Sequence, residues 1–421
     1  MRDITVLIFI TGCIIAALKK PWLGVLALAI FSYLNPHAYA WGFVRTLPLY
    51  YVLFLVVAFR TFTAKDQQSI PNDWRITVFV LLYIYFVITS TQAPYPDIVW
   101  PKFWIVTKVF IPFYFTLVLI NTRYKLYWLI VAIAASIGIV AVKGGIFAIM
   151  SGFAYRVYGP PATQFEENNA FALAMLIDIP LLLIWQKETL SPSLKKGILL
   201  TIPIIYAASL SSWSRGALVT MVVLTLMLIW NSKRKYLAIP LVFAGAFFVK
   251  DYLPQEWFGR MNTIETYQED SSAMGRVNAW IDGWNHTLEH PFFGAGFDGY
   301  AYVTSTHLDW HSSYVEMFSE HGFLAFGLWF SLIVGTLISL TTLPNKTRHV
   351  EGMEWVTNYC FMLRASLICY MVGGAFLGLS YWDILYHLIF ISVLVKKFAL
   401  EELAIKQKKR VKSRWVLGHN H

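Results

Sequence analysis

Arg215, Arg276 and His311 carry the side chains for chemistry on an anionic leaving group. Planar guanidinium groups chelate phosphate or pyrophosphate bidentately, and a histidine beside such an anion can take a proton from an attacking hydroxyl. Arg215 lies in Ser211-Ser212-Trp213-Ser214-Arg215-Gly216, a tight hairpin between two apolar runs. Arg276 and His311 lie in a polar insert, residues 251–321, that holds two arginines (Arg260 and Arg276), five histidines and no lysine. A bilayer-spanning chain has no need of such an insert, which makes it the natural seat of chemistry. The plainer alternatives are a surface salt bridge or lipid headgroup contact for each arginine, and a structural role for His311.

Lys102, Lys108 and Lys143 extend the positive charge. Lys108 and Lys143 fall inside apolar runs, where an ionised side chain either marks a substrate path or snorkels to the headgroups. A basic pocket there suits a lipid-linked anion. Glu166-Glu167-Asn168-Asn169 opens another apolar run. It reads either as a helix start with acids in the first turn, or as side chains that orient a sugar hydroxyl. His286-Thr287-Leu288-Glu289-His290 matches the HxxEH pattern of one zinc-peptidase class, but Pro291 follows and no third ligand is evident, so a structural helix end is expected. His307 and His311 are four apart with a turn-like Asp309-Trp310 between them, which argues against a metal pair. His321, at a span boundary, reads as interfacial. Asp178 and His387 lie within spans, where interhelical hydrogen bonding is the default. No metal or other cofactor is expected.

A bundle of membrane helices must position these residues. The 421 residues are 57% hydrophobic and 14% charged, with a mean hydropathy of +0.55, whereas soluble domains carry about 25% charged residues. Apolar runs fall at 3–18, 21–34, 47–63, 75–91, 103–120, 125–148, 169–186, 197–210, 216–230, 236–250, 322–341, 357–379 and 382–397. The fold class is therefore an all-α polytopic membrane protein of about 12–13 transmembrane helices with one long, partly helical loop. Residues 1–421 form a single bundle, 251–321 an inserted loop and 398–421 a basic tail. The net charge of +10 sits in short connections and in the tail. This is the positive-inside pattern and argues against nucleic acid as a partner. It puts 123–125, 195–196, 231–235, 346–348 and the tail in the cytoplasm, and 35–46, 92–102, 149–168, 211–215 and the insert outside. The first two runs are short enough for a re-entrant pair, which leaves the side of the N-terminus open. Ile10-Thr11-Gly12-Cys13 resembles a lipoprotein cleavage box, but apolar residues follow it, so a membrane helix is expected. Cys13, Cys360 and Cys369 read as small buried hydrophobes.

Within the insert, Ser271-Ser272 is placed to cap a helix running to about Glu289. Val277, Ile281, Trp284 and Leu288 form one apolar face, directed either at the membrane or at the rest of the loop. Gly294-Ala295-Gly296-Phe297 is a turn, and His311 opens a second helix that leads through Gly322 into the next span.

Together these residues resemble the O-antigen ligase and polymerase superfamily of bacterial envelope proteins. The resemblance rests on Ser214-Arg215-Gly216-Ala217, on Arg276 with Trp280 four residues on, and on His290-Pro291-Phe292-Phe293-Gly294-Ala295-Gly296. It is completed by His311-Ser312-Ser313-Tyr314 with Glu316, Glu320 and Gly322 behind it. It covers residues 160–330, and the N-terminal half is similar to the exosortase-associated O-glycosylation ligases. The resemblance implies a metal-independent, inverting glycosyltransferase of the bacterial inner membrane. Its donor would be a glycan on undecaprenyl pyrophosphate, and its acceptor lipid A-core or protein at the periplasmic face. Arg215 and Arg276 would hold the pyrophosphate and His311 would activate the acceptor. Lys102, Lys108, Lys143, Glu166, Asn168 and Trp280 would bind substrate, and membrane lipids would surround the whole.

A polymerase of the same superfamily would use the same acid–base chemistry. A protein oligosaccharyltransferase that holds a metal on acids of the first outer loop fits less well, because Asn35–Pro48 contains no Asp or Glu. A lipid-linked glycan transporter would favour repeated halves and broken midplane helices, which the sequence lacks.

Overall fold

The computed structural model describes residues 2–262, 271–304 and 310–418; His307 and Asp309 lie outside the described residues. Ten helices come before the insert: α1 (Arg2–Lys19), α2 (Pro21–Tyr33), α3 (Leu49–Thr63), α4 (Trp74–Gln92), α5 (Pro96–Leu119), α6 (Arg123–Met150), α7 (Asn168–Glu188), α8 (Pro192–Leu210), α9 (Arg215–Asn231) and α10 (Lys235–Lys250). The insert contains α11 (Gln255–Asn262), α12 (Ser271–Glu289) and the short α13 (Tyr300–Val303). Then follow α14 (Ser313–Thr347), α15 (Glu354–Gly374) and α16 (Asp383–Gly418). No strand occurs among the described residues.

Among the described residues, six helices, α4 to α8 and α14, are long and apolar enough to cross a membrane, or seven if α10 and α11 form one bent span. α2, α3 and α9 are shorter apolar helices. The protein is thus an all-α, multi-pass membrane protein. Its helix starts follow from local chemistry. Asp73, Thr122, Ser191 and Ser214 each accept a backbone N–H of the first turn, and Pro21, Pro96 and Pro192 open helices where their missing N–H costs nothing. α7 is buried on nearly every side and, with the membrane portion of α16, forms the centre of the bundle.

Polar contacts sort the connections onto two ends. At the basic end, Lys125 pairs with Asp66 at 3.0 Å, Arg123 with Glu188 at 2.8 Å, and Lys396 with Asp73 at 2.9 Å. At the insert end, Asn35 Nδ2 donates to the Pro161 carbonyl at 2.9 Å, Val157 N to Ser211 O at 3.1 Å, and Lys102 pairs with Asp298 at 3.1 Å. The two groups coincide with the charge-based sorting of the connections. The N-terminus, left open by the sequence, belongs to the insert end: Gly42 N donates to Asp3 Oδ1 at 3.0 Å, and the Arg2 guanidinium lies over Trp41.

Besides an earlier start of α5, at Pro96 rather than 103, and an α16 that runs on to Gly418 rather than ending at 397, two boundaries near the insert depart from the sequence reading. α15 stops at Gly374 rather than 379, and residues 375–382 form a loop. α14 begins at Ser313, so His311 lies before the helix, with left-handed backbone at φ 42. α12 spans the expected residues. The face bearing Ile281, Trp284 and Leu288 is exposed, while Ala279, Gly283 and Thr287 face α14.

Candidate functional site

Two helix starts and two insert helices converge on one pocket. Ser214 Oγ accepts the Ala217 N–H at 3.2 Å and caps α9, which puts Arg215 in the first turn. Trp213, just before it, holds φ 59, a backbone that a bulky residue keeps only when its surroundings enforce it. Three bonds do so. Asn168 Nδ2 donates to the Ser212 carbonyl at 2.7 Å, Trp213 Nε1 to the Phe153 carbonyl at 3.2 Å, and Arg260 Nε to the Trp213 carbonyl at 2.9 Å. Arg276 reaches the same place from α12. Arg215, Arg260 and Arg276 line a pocket with Asn169, Ser214, Gly216, Phe376 and Leu377, about 280 Å³ with its open mouth included. The N-termini of α7, at Asn169, and of α9 open on the same space. Each helix start adds partial positive charge to that of the guanidinium groups, an arrangement with the chemistry to hold an anion.

The loop after α15 connects this pocket to His311. Ser313 Oγ donates to the Leu377 carbonyl at 2.8 Å and accepts from Leu379 N at 3.0 Å. Ser380 N donates to Glu316 at 2.7 Å, and the Tyr381 hydroxyl donates to Glu320. The wall that presents Leu377 is therefore tied to the first turns of α14, and His311 heads that segment. Trp280 Nε1 donates to the Trp310 carbonyl at 2.8 Å, so α12 grips the residue preceding His311.

Gly322 breaks α14 with φ 75 and ψ 177. The motif His290–Gly296 fills the break: Phe323 N donates to Pro291 O at 2.8 Å, Ala295 N to Ser319 O at 2.9 Å and Gly296 N to Glu320 O at 2.7 Å. A Cβ on Gly322 would meet Phe292 O at 2.4 Å, and one on Gly294 would meet Glu320 C at 2.5 Å. These glycines allow backbone to dock on backbone.

Residues 198–330, which carry all three arginines, His311 and the docked motif, match a family model described as O-Antigen ligase. The match supports an O-antigen ligase-like superfamily for this region, residues 198–330. That match supports a glycosyltransferase of the O-antigen ligase type. Residues 1–190 match a family of unknown function (DUF5935), and no curated protein matches the chain.

The remaining candidates lie outside the pocket lining. Lys102 pairs with Asp298 near Glu320. Lys108 sits over the Tyr51 ring at 4.9 Å and Lys143 over the Tyr39 ring at 5.7 Å. Glu166 is exposed and accepts the Ala162 N–H at 2.8 Å, closing its own loop. Asn168 holds the arginine hairpin, whereas its neighbour Asn169 lines the pocket. Trp280 packs on Tyr300, Trp310, Val315 and Phe318.

The histidines behave differently from one another. His321 is fully buried rather than interfacial, with Nδ1 2.7 Å from Thr89 Oγ1 and its ring against Phe86 and Phe297. His286 and His290 have ring centroids 4.8 Å apart at the end of α12. Burial, then the charge of His290, pushes His286 below its ordinary pKa. His387 meets Tyr33 across helices at 2.7 Å, as expected, but the Asp178 carboxylate has no hydrogen-bond partner among the described residues.

Arg260, Asn169, Phe376 and Leu377 were not singled out as site residues from sequence. For the last two a signal existed: Gly373-Gly374 and Gly378 mark a helix end followed by a turn. Arg260 stood out only as a positive charge in the insert.

Proposed function

We propose that the protein transfers a glycan from undecaprenyl pyrophosphate to an acceptor hydroxyl, with lipid A-core as the acceptor, at the periplasmic face of the bacterial inner membrane. The observation that carries this reading is the pocket shared by Arg215, Arg260 and Arg276. Charge grows on the leaving pyrophosphate as the glycosidic bond breaks, and guanidinium groups aimed at that charge lower the barrier. Three of them with two helix N-termini supply positive charge without a metal. His311, at the head of the segment bonded to the pocket wall, takes the proton of the attacking hydroxyl. Attack opposite the leaving group inverts the anomeric centre. The outward placement of the pocket is supported by the basic residues gathered at the far end of the bundle.

The test is transfer by purified protein in detergent from a defined undecaprenyl-pyrophosphate glycan, with lipid A-core and membrane protein offered in parallel, with and without EDTA. Glycosylated lipid A-core, formed equally in EDTA, is expected. Product on membrane protein alone would change the acceptor. Extension of the donor glycan would make the protein a polymerase, and EDTA-sensitive transfer would overturn the metal-independent mechanism.

A further inference from the structure

A second polar site lies inside the bundle, away from the arginine pocket. Ser32 lies in the last turn of α2, Asp383 opens α16, and His387 is one turn further along α16. Ser32 Oγ donates to Asp383 Oδ2, and the Tyr33 hydroxyl meets His387 Nδ1 at 2.7 Å. Asp383 Oδ1 is buried with no partner in close hydrogen-bonding geometry among the described residues, although the Tyr33 hydroxyl and the Ile384 N–H lie near the carboxylate. It belongs to a residue that is 4% exposed and lines a pocket of about 340 Å³, open mouth included, between α2, α3, α5 and α16. Fourteen residues separate Asp383 from Lys397 at the basic end, or about 21 Å at 1.5 Å per residue, which places the pocket within the membrane. An ionisable side chain at such depth points to a ligand or ion path.

We propose that this pocket binds an alkyl-chain amphiphile through a hydrogen-bond-donating head, a hydroxyl or an ammonium, that reaches Asp383. A buried carboxylate oxygen without a close donor favours an occupant that supplies one. The rest of the wall selects an apolar body. Val25, Leu28 and Ala29 of α2 face Val109 and Pro112 of α5, and Ser32 and Thr116 continue those two faces at helical spacing. At this depth the surrounding solvent is lipid, so what enters is amphiphilic. Most of the wall lies within the region matched by the family of unknown function, while Asp383 and His387 lie beyond both matched regions.

The experiment is thermal melting of the delipidated, detergent-purified full chain with 1-dodecanol, dodecylamine or dodecane. Dodecanol or dodecylamine should raise the melting temperature by about 3 °C and dodecane should not. Stabilisation by the amine alone identifies a charged partner for Asp383; stabilisation by both identifies a neutral donor. The shift should vanish in Asp383→Ala and in Ala29→Leu, which fills the pocket without touching its polar groups. An equal shift with dodecane, no shift with either amphiphile, or a shift that persists in both variants would overturn the proposal; the second of these outcomes would leave the pocket to water.

Discussion

Trp280 Nε1 donates a 2.8 Å hydrogen bond to the carbonyl oxygen of Trp310, so a residue of α12 holds the backbone on which His311 stands. His311 itself keeps φ 42, and a side chain projected from such backbone depends on that grip. Trp280→Phe retains the ring and loses the donor. One hydrogen bond is worth about 1 kcal/mol, and a small misplacement of a catalytic group adds to the loss. The turnover rate should fall about tenfold with KM unchanged and the melting temperature nearly so. Steady-state transfer and a thermal melt check both; a change confined to KM would mean that Trp280 contacts substrate instead.

The arginines should differ in kind. Arg215→Lys and Arg276→Lys should each lower transfer by more than about 100-fold, because a point charge does not replace a bidentate fork. Arg260→Lys should lose less, since its Nε is already engaged by the Trp213 carbonyl. Inorganic pyrophosphate should inhibit the wild type competitively and lose potency in all three variants. His311→Ala should abolish transfer yet leave pyrophosphate inhibition of donor binding intact.

Gly322→Ala should destabilise the fold by more than about 2 kcal/mol, from positive φ and from carbonyls at 2.4 and 2.5 Å. The melt should shift down and transfer should vanish. Gly327→Ala, five residues later on the same helix with nothing within 4 Å of its added Cβ, should be silent in both assays.

Asp73→Asn should cost about 3–5 kcal/mol, because Arg75 is fully buried and would keep its charge without its main partner. Burial alone would raise the Asp73 carboxyl, but hydrogen bonds and charge from Arg75, with Lys396 adding, hold it well below the usual carboxylate range. A carboxylate depressed in this way stabilises the fold fully above its unfolded value of about 3.9 and loses that effect only as pH falls through the folded value. The deficit of Asp73→Asn should therefore be constant from about pH 5 to 8. Melting curves across that window check the prediction, and a deficit that shrinks toward pH 5 contradicts it.

The helices were legible because a bilayer imposes length and apolarity on any segment that crosses it. The runs read at 125–148 and 236–250 correspond closely to Arg123–Met150 and Lys235–Lys250. The run read at 357–379 was too long because Phe376, Leu377 and Leu379 are as apolar as membrane residues, yet they form loop backbone held by Ser313, Glu316 and Glu320. Hydropathy does not distinguish lipid-facing leucine from leucine packed in a protein-lined loop. Arg215 and Arg276 were legible as positive charge in connections that the charge pattern assigns to the disfavoured side. Lys108 and Lys143 stood out instead as ionised side chains inside apolar runs, and they lie over the Tyr51 and Tyr39 rings.

Fold class and the sorting of connections onto two ends followed from residue types and their period along the chain, as did the proposal of an anionic ligand. Solvent and bilayer act on each segment separately, so each segment records them. The gathering of Asn169, Arg215, Arg260, Arg276 and Leu377 around one space did not follow. It is enforced by side chains bonded to the carbonyls of Ser212, Trp213, Trp310 and Leu377, an acceptor that every residue carries. Such contacts leave no trace in composition or spacing, and only packing between distant segments brings them about.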